Sequence, residues 1–174
     1  MVEEASQAAQ EINKTELSLR AHEGLFYYQD SPFSGTALTY LANGTLVESE
    51  SFVNGKRHGL LKKWYADGTQ SYEAQYQNGR LHGTGNTWWP NGQMRTASNY
   101  VDGVTHGKQK QWYQSGVIFK EINLVQGKEQ GLQKAWRENG KIYNNYEAKN
   151  GRIFGLKRSK LCFELSEEEV QYAD

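Results

Sequence analysis

Residues Asn54 to Gly68 read NGKRHGLLKKWYADG, a stretch with two Asn/Asp-Gly pairs, one His-Gly step and an adjoining Trp-Tyr couple. An Asn-Gly or Asp-Gly pair flanked by strand formers is the strongest short-range signal for a tight hairpin turn. Two such pairs a dozen residues apart spell strand, turn, strand, turn. A helix through the same residues is disfavoured, because each interior glycine costs about 1 kcal/mol of helix stability.

The stretch recurs. Gly59 opens a G-x-x-x-x-aromatic run, and the same run opens at Gly35, Gly83, Gly107 and Gly131, with a sixth start at Gly155, every 24 residues and without insertion. Five positions on from these glycines stand Tyr40, Trp64, Trp88, Trp112 and Trp136. Turn glycines follow in phase, Gly44 to Gly140 nine positions on and Gly55 to Gly151 twenty positions on. A fixed period of this length is the mark of a repeat architecture in which each copy touches only its neighbours. The expected fold is all-β: a solenoid-like, single curled antiparallel sheet of tandem 24-residue β-hairpin repeats, eleven or twelve short strands in all, with short capping segments at both ends. Two strands per copy advance the stack by roughly 10 Å, giving a rod of about 50 Å.

Parity assigns the faces. With three-residue turns throughout (Ala66-Asp67-Gly68, then Gln77-Asn78-Gly79), Trp64 shares a face with Tyr72, Ala74, Tyr76 and His82. The ladder Tyr40, Trp64, Trp88, Trp112 and Trp136 is then the core. Tyr65, Trp89 and Tyr113, with Arg137 after them, point to the opposite, more polar face alongside Glu73 and Arg95. Large rings and arginines among polar neighbours are the side chains that carry binding energy at interfaces, so these six residues are the candidate partner-binding set.

The ends differ from the middle. Residues 1–23 read as a polar leader, partly disordered or a short helix, and residues 24–165 as the repeats, led in by GLFYYQDSPFSG. Residues 166–174 read as an acidic cap, with Ser166 and Glu169 spaced as a capping box for a short helix. The leader lacks the apolar run of a signal peptide. It suits a cytoplasmic protein, or an extracytoplasmic one whose signal has been removed.

The chain has 174 residues, with 20 basic and 20 acidic side chains and a formal net charge of zero. Phosphate neutralisation needs a basic excess, so nucleic-acid binding is not expected, and neither is strong attraction to an anionic membrane. Apolar residues make up 37% of the chain, too few for a thick aliphatic core, so rings must fill a thin layer. Cys162 is the single cysteine and excludes an internal disulfide; its setting in KLCFEL suits a buried, inert thiol.

Chemistry is sparse. His58, His82 and His106 recur at 24-residue spacing, which sets them roughly 10 Å apart, too far for neighbours to share one zinc. They read as turn-supporting side chains. Glu48, Glu73 and Glu121 read as solvated. No phosphate loop, Walker pattern or paired-Cys motif appears, so no catalytic residue, metal or cofactor is expected.

The pattern G-x4-W-Y-x-N-G-x7-Y-x-N-G-x-x-H resembles the MORN-repeat-variant family, in particular the bacterial YwqK-type proteins described as antitoxins, over about residues 24 to 160. Arg137 in place of the second aromatic, Gln130 and Phe154 in place of histidine, and Leu124 and Ala148 in place of tyrosine depart from it without breaking phase. The resemblance implies a hairpin solenoid that binds a protein partner and neutralises a toxin or secreted effector, of lipase type in one version. The competing expectations are a lipid-associated scaffold using Lys62, Lys63, Lys108, Lys110, Lys134, Lys157, Arg158 and Lys160, and, more remotely, a carbohydrate-active enzyme with paired carboxylates.

Overall fold

A computed structural model describes residues 10–156. Four short strands come first: β1 (Glu11–Asn13), β2 (Leu17–Arg20), β3 (Leu25–Tyr28) and β4 (Ser31–Pro32). The hairpin repeats follow as β5 (Gly35–Tyr40), β6 (Leu46–Val53), β7 (Lys56–Trp64), β8 (Gln70–Gln77), β9 (Arg80–Trp88) and β10 (Met94–Val101). They continue as β11 (Val104–Thr105), β12 (Gly107–Trp112), β13 (Ile118–Val125), β14 (Lys128–Glu129), β15 (Gly131–Trp136), β16 (Ile142–Lys149) and β17 (Arg152–Leu156). All but β2, β3 and β4 form one sheet, antiparallel from β5 to β17, with β1 added in parallel beside β5. Its two outermost strands, β1 and β17, do not pair, so the sheet is open. This is the hairpin sheet that the 24-residue period predicts.

The two turns of each copy differ. Tyr65 N–H donates to the Thr69 carbonyl at 2.8 Å and Gly68 N–H to the Tyr65 carbonyl at 3.0 Å, closing the expected three-residue loop. The other turn is shorter than expected. Gln77 pairs directly with Arg80, leaving only Asn78 (φ +51°) and Gly79 (φ +84°) between the strands. Both central residues are left-handed, the type I′ geometry whose twist matches the flanking strands.

A bulge then reverses the expected faces. Trp64 lies opposite Gln70, but Lys63 lies opposite Tyr72, so Ser71 is an extra residue. Arg95, Phe119 and Tyr143 are extra in the same way in later copies. One added residue flips every side chain beyond it. Lys63 and Leu61 therefore share a face with Tyr72 and Ala74, while Trp64 shares one with Glu73. A second irregularity sits at the repeat glycine, where Ala74 pairs Gly85 but Tyr76 pairs Leu81.

The buried face carries Ala37, Leu61, Gly85, Gln109 and Gln133, each two residues after a repeat glycine. Glu50, Ala74, Tyr146 and Ala148 meet them from the return strands. Gly85 makes room for the Tyr100 ring, which would sit 2.9 Å from an added Cβ. A single sheet buries one face to this degree by curling over it. The type I′ turns fix the curl: Gly79 N–H donates to the Arg57 carbonyl at 2.8 Å, Gly103 to Leu81 at 2.7 Å and Gly127 to Thr105 at 2.9 Å. Consecutive turns on that side are thus bonded to one another.

The N-terminal end is closed by a small aromatic core. Ile12, Phe33, Ala37 and Phe52 are buried together, with Leu17, Phe26 and Tyr28 packed on them. Phe26 and Phe52 meet edge to face at 5.1 Å. Residues expected to form part of a polar leader thus do structural work: Ile12 plugs the core, and a 3₁₀ turn (Lys14–Glu16) capped by Asn13 joins β1 to β2. The alternation of Glu11, Ile12 and Asn13 was too brief to stand out as a strand. The acidic cap expected over residues 166–174, and Cys162, lie outside the described residues.

Candidate binding face

On the outward strands, alternate residues face away from the buried layer. Trp64, Trp88, Trp112 and Trp136 stand there half-buried, and Tyr40 is 45% exposed. Each is met across the strand pair, Tyr40 by Leu46, Trp64 by Gln70, Trp88 by Met94, Trp112 by Ile118 and Trp136 by Ile142. Ile142 is 43% exposed. The ladder expected to be the core is therefore a column on the outer face, and the fully buried column is the one built on Ala37, Leu61 and Gly85.

The residues next to that column have the opposite fate. Tyr65 Oη donates to the Trp88 carbonyl at 2.8 Å, Trp89 Nε1 to the Trp112 carbonyl at 3.2 Å and Tyr113 Oη to the Trp136 carbonyl at 2.9 Å. Each ring thereby reaches the next copy and satisfies a backbone carbonyl there. The bulge residue of the same copy packs on it: the Arg95 guanidinium sits 4.5 Å from the Trp89 ring centre, and Phe119 5.0 Å from that of Tyr113. Burial pushes the Tyr113 hydroxyl pKa up, with Glu138 adding to it. Of the six expected binding residues, Arg95 is exposed and stacks on the Trp89 ring of its own copy, while Tyr65, Trp89 and Tyr113 are half-buried and join one copy to the next. Arg137 occupies the corresponding place in its copy and is exposed. Glu73 lies on the outer face beside Trp64, 3.4 Å from Lys62.

The outer face also carries lysines. Lys62, Lys110 and Lys134 each precede a ladder tryptophan by two residues and so share its side of the strand. Lys108 and Lys110 both approach Glu121, at 2.9 and 3.7 Å. Lys108 beside it holds the Glu121 carboxyl below the usual carboxylate range.

Glu48, expected to be solvated, belongs to an ion cluster on the buried side. Lys14 Nζ contacts Glu48 and lies 2.8 Å from Glu50; Lys63 lies 3.1 Å from Glu48; Arg57 Nε bonds Glu50. Burial opposes ionisation of both Lys14 and Glu48, yet the opposite charges win, raising the Lys14 pKa and lowering that of Glu48. The two carboxyl groups do converge, but on a lysine, and Glu50 is wholly buried, so they line no groove of the kind glycoside hydrolysis needs.

His106 Nδ1 accepts from Gln126 N–H at 3.5 Å, as Ser34 Oγ accepts from Asn54 N–H at 2.8 Å one step before the first repeat glycine. That position supports the type I′ turn. Among the described residues no group of three or more His, Cys, Asp or Glu is placed to hold a metal.

Two residues escaped the sequence reading. Gln109 and Gln133 are buried at 4% and 1% exposure. Gln109 Oε1 accepts from Asn99 N–H at 3.1 Å while its Nε2 donates to the Asn99 carbonyl at 3.3 Å and the His106 carbonyl at 3.1 Å. Gln133 treats Asn123 alike, at 2.9 Å in both directions. The side-chain amide replaces the peptide group that the bulge removes from the ladder. The signal was available: two glutamines 24 residues apart in a buried column, each paired with an in-phase asparagine.

No curated protein matches the chain. The MORN repeat model matches residues 72–94, and the MORN repeat variant model matches residues 57–78 and 105–126. These stretches cover hairpins of the sheet just described, and the matched repeats are of MORN type.

Proposed function

We propose that this chain is a non-catalytic protein-binding module and, in finer terms, an antitoxin or immunity protein that occludes a bacterial toxin or secreted effector. The observation that carries the binding reading is the outer aromatic column, a row of half-buried to exposed rings over which no strand of the described residues is layered. MORN-type repeats are a general module that serves binding, and the resemblance to YwqK-type proteins supports the antitoxin role. The experiment is a pull-down from source lysate and secretome with wild-type, Trp88→Ala and Trp112→Ala bait. Near-stoichiometric recovery of one toxin-like enzyme, lost with the outer-face variants, supports the proposal. Recovery unaffected by both variants removes the outer face from the interaction.

A second reading, a lipid-associated scaffold, draws on Lys62, Lys108, Lys110 and Lys134 standing on the same face as the tryptophans. Co-sedimentation with anionic liposomes that disappears in Trp112→Ala would favour it over a protein partner.

A further inference from the structure

The outer face is not uniform along its length. In the first copy Glu11, opposite Thr36 in register, and Glu16 line one hollow with Leu38 and Tyr40, so the face there carries acidic side chains. In the second, Lys62 and Glu73 offset each other at 3.4 Å. In the third, Asn86 and Ala97 are paired. In the fourth and fifth copies the balance changes. Lys108, Lys110 and Lys134 surround Trp112 and Trp136, and Glu121 serves two of these lysines. Lys134 is opposite Glu121 in register but forms no ion pair among the described residues. Glu147 stands farther along, opposite Leu132, with Lys149 and Arg152 paired beyond it. Five cations thus stand against two carboxylates, and two tryptophans lie within that patch.

Resting on the outer-face binding reading, we infer that the partner meets the fourth and fifth copies with an acidic protein segment. Its carboxylates take the ammonium groups of Lys110 and Lys134, and its apolar side chains cover Trp112 and Trp136. Each Lys-x-Trp unit (Lys110-Gln111-Trp112 and Lys134-Ala135-Trp136) offers one cation and one flat ring on one side of a strand. Complementary charge at such a rim speeds encounter and rejects partners of the wrong sign, while the desolvated ring supplies the affinity. The neutral net charge of the chain hides this local excess.

Tryptophan fluorescence tests it on the full chain with three probes: a dodecapeptide of Glu-Leu-Glu-Gly repeats, its Lys-Leu-Lys-Gly twin, and phosphatidylglycerol vesicles. The expected result is saturable binding of the acidic peptide only, weakened at least tenfold by Lys110→Glu with Lys134→Glu and weakened by added salt. Lys62→Glu, in the copy where charge is already balanced, should change it less than twofold. Equal binding of both peptides, abolished by Trp112→Ala, overturns the charge inference while leaving the aromatic face as a binding surface. Binding of vesicles but neither peptide overturns it in favour of a lipid surface. Binding of none of the three overturns it too, and the pull-down with Trp88→Ala and Trp112→Ala then decides the outer-face reading separately.

Discussion

Tyr65 Oη donates to the backbone carbonyl of Trp88 at 2.8 Å, so a side chain of one copy closes a hydrogen bond in the next. Tyr113 does the same with Trp136 at 2.9 Å. Removing only the hydroxyl, as Tyr65→Phe or Tyr113→Phe, keeps the ring and loses that bond. Each substitution is expected to cost about 1 kcal/mol in urea denaturation. Partner affinity should stay within a factor of two, because the ring does not face outward.

Adjacent tryptophans should behave oppositely. Trp89→Phe forfeits the N–H donor to the Trp112 carbonyl and is expected to cost about 1 kcal/mol of stability. Trp88→Ala should leave the melting curve closer to wild type and weaken partner binding. It should weaken it less than Trp112→Ala inside the lysine patch, where the loss should be at least tenfold, the size of effect a hot-spot residue carries. A Trp88→Ala protein that binds normally but melts early would return the ladder to the core.

The glutamine clamps make a sharper stability test. Gln133→Ala strands the partly buried Asn123 N–H and carbonyl that the amide satisfies, at a cost of about 1 kcal/mol. Amide hydrogen exchange should show the Asn123 amide losing protection first. Gln109→Ala should do the same at Asn99.

Tyr146 gives a pH signature. Burial first, then its bond to Glu129 at 3.0 Å, push its hydroxyl up to about 12. The folded pKa exceeds the unfolded one, so the native state favours the protonated phenol. The contribution is fully present below about pH 10 and fades as pH rises toward about 12. Denaturation midpoints of wild type and Tyr146→Phe should therefore converge over that range.

At the acid end the sign reverses. Glu48 has a lowered pKa, so its ion pairs stabilise above the ordinary carboxylate range and are lost as pH falls through the lowered value. Glu50→Gln leaves Lys14 and Arg57 facing a neutral amide. The expected loss is about 3 kcal/mol, near the lower end for breaking a buried pair because both cations are partly exposed. Proteolysis at residues 11–20 should accelerate in that variant.

The period, the strand-turn alternation and the Ala66-Asp67-Gly68 loop were legible because each repeats five times or has a local chemical signature. The faces were not. A single unmarked residue, Ser71, Arg95 or Phe119, sits as a bulge, and nothing in its identity says so; the register is decided by how the buried column packs. The Asn78-Gly79 turn was misjudged by one residue, since Asn-Gly serves both loop lengths. Ile12 was missed because three residues of strand, paired in parallel with a distant partner, have no periodicity to show. The candidate set was chosen by face, and so it inherited the inversion.

The two ends of the sheet are secured by different forces. Near Lys14 and Glu50 the first copies are held by ions and clustered phenylalanines, while near Gln109 and Gln133 the later ones are held by neutral amides. Acid below the ordinary carboxylate range should therefore peel the molecule from its beginning and leave the later hairpins zipped. In such a half-opened state, the stretch carrying Trp112 and Trp136 would be the last to lose its shape.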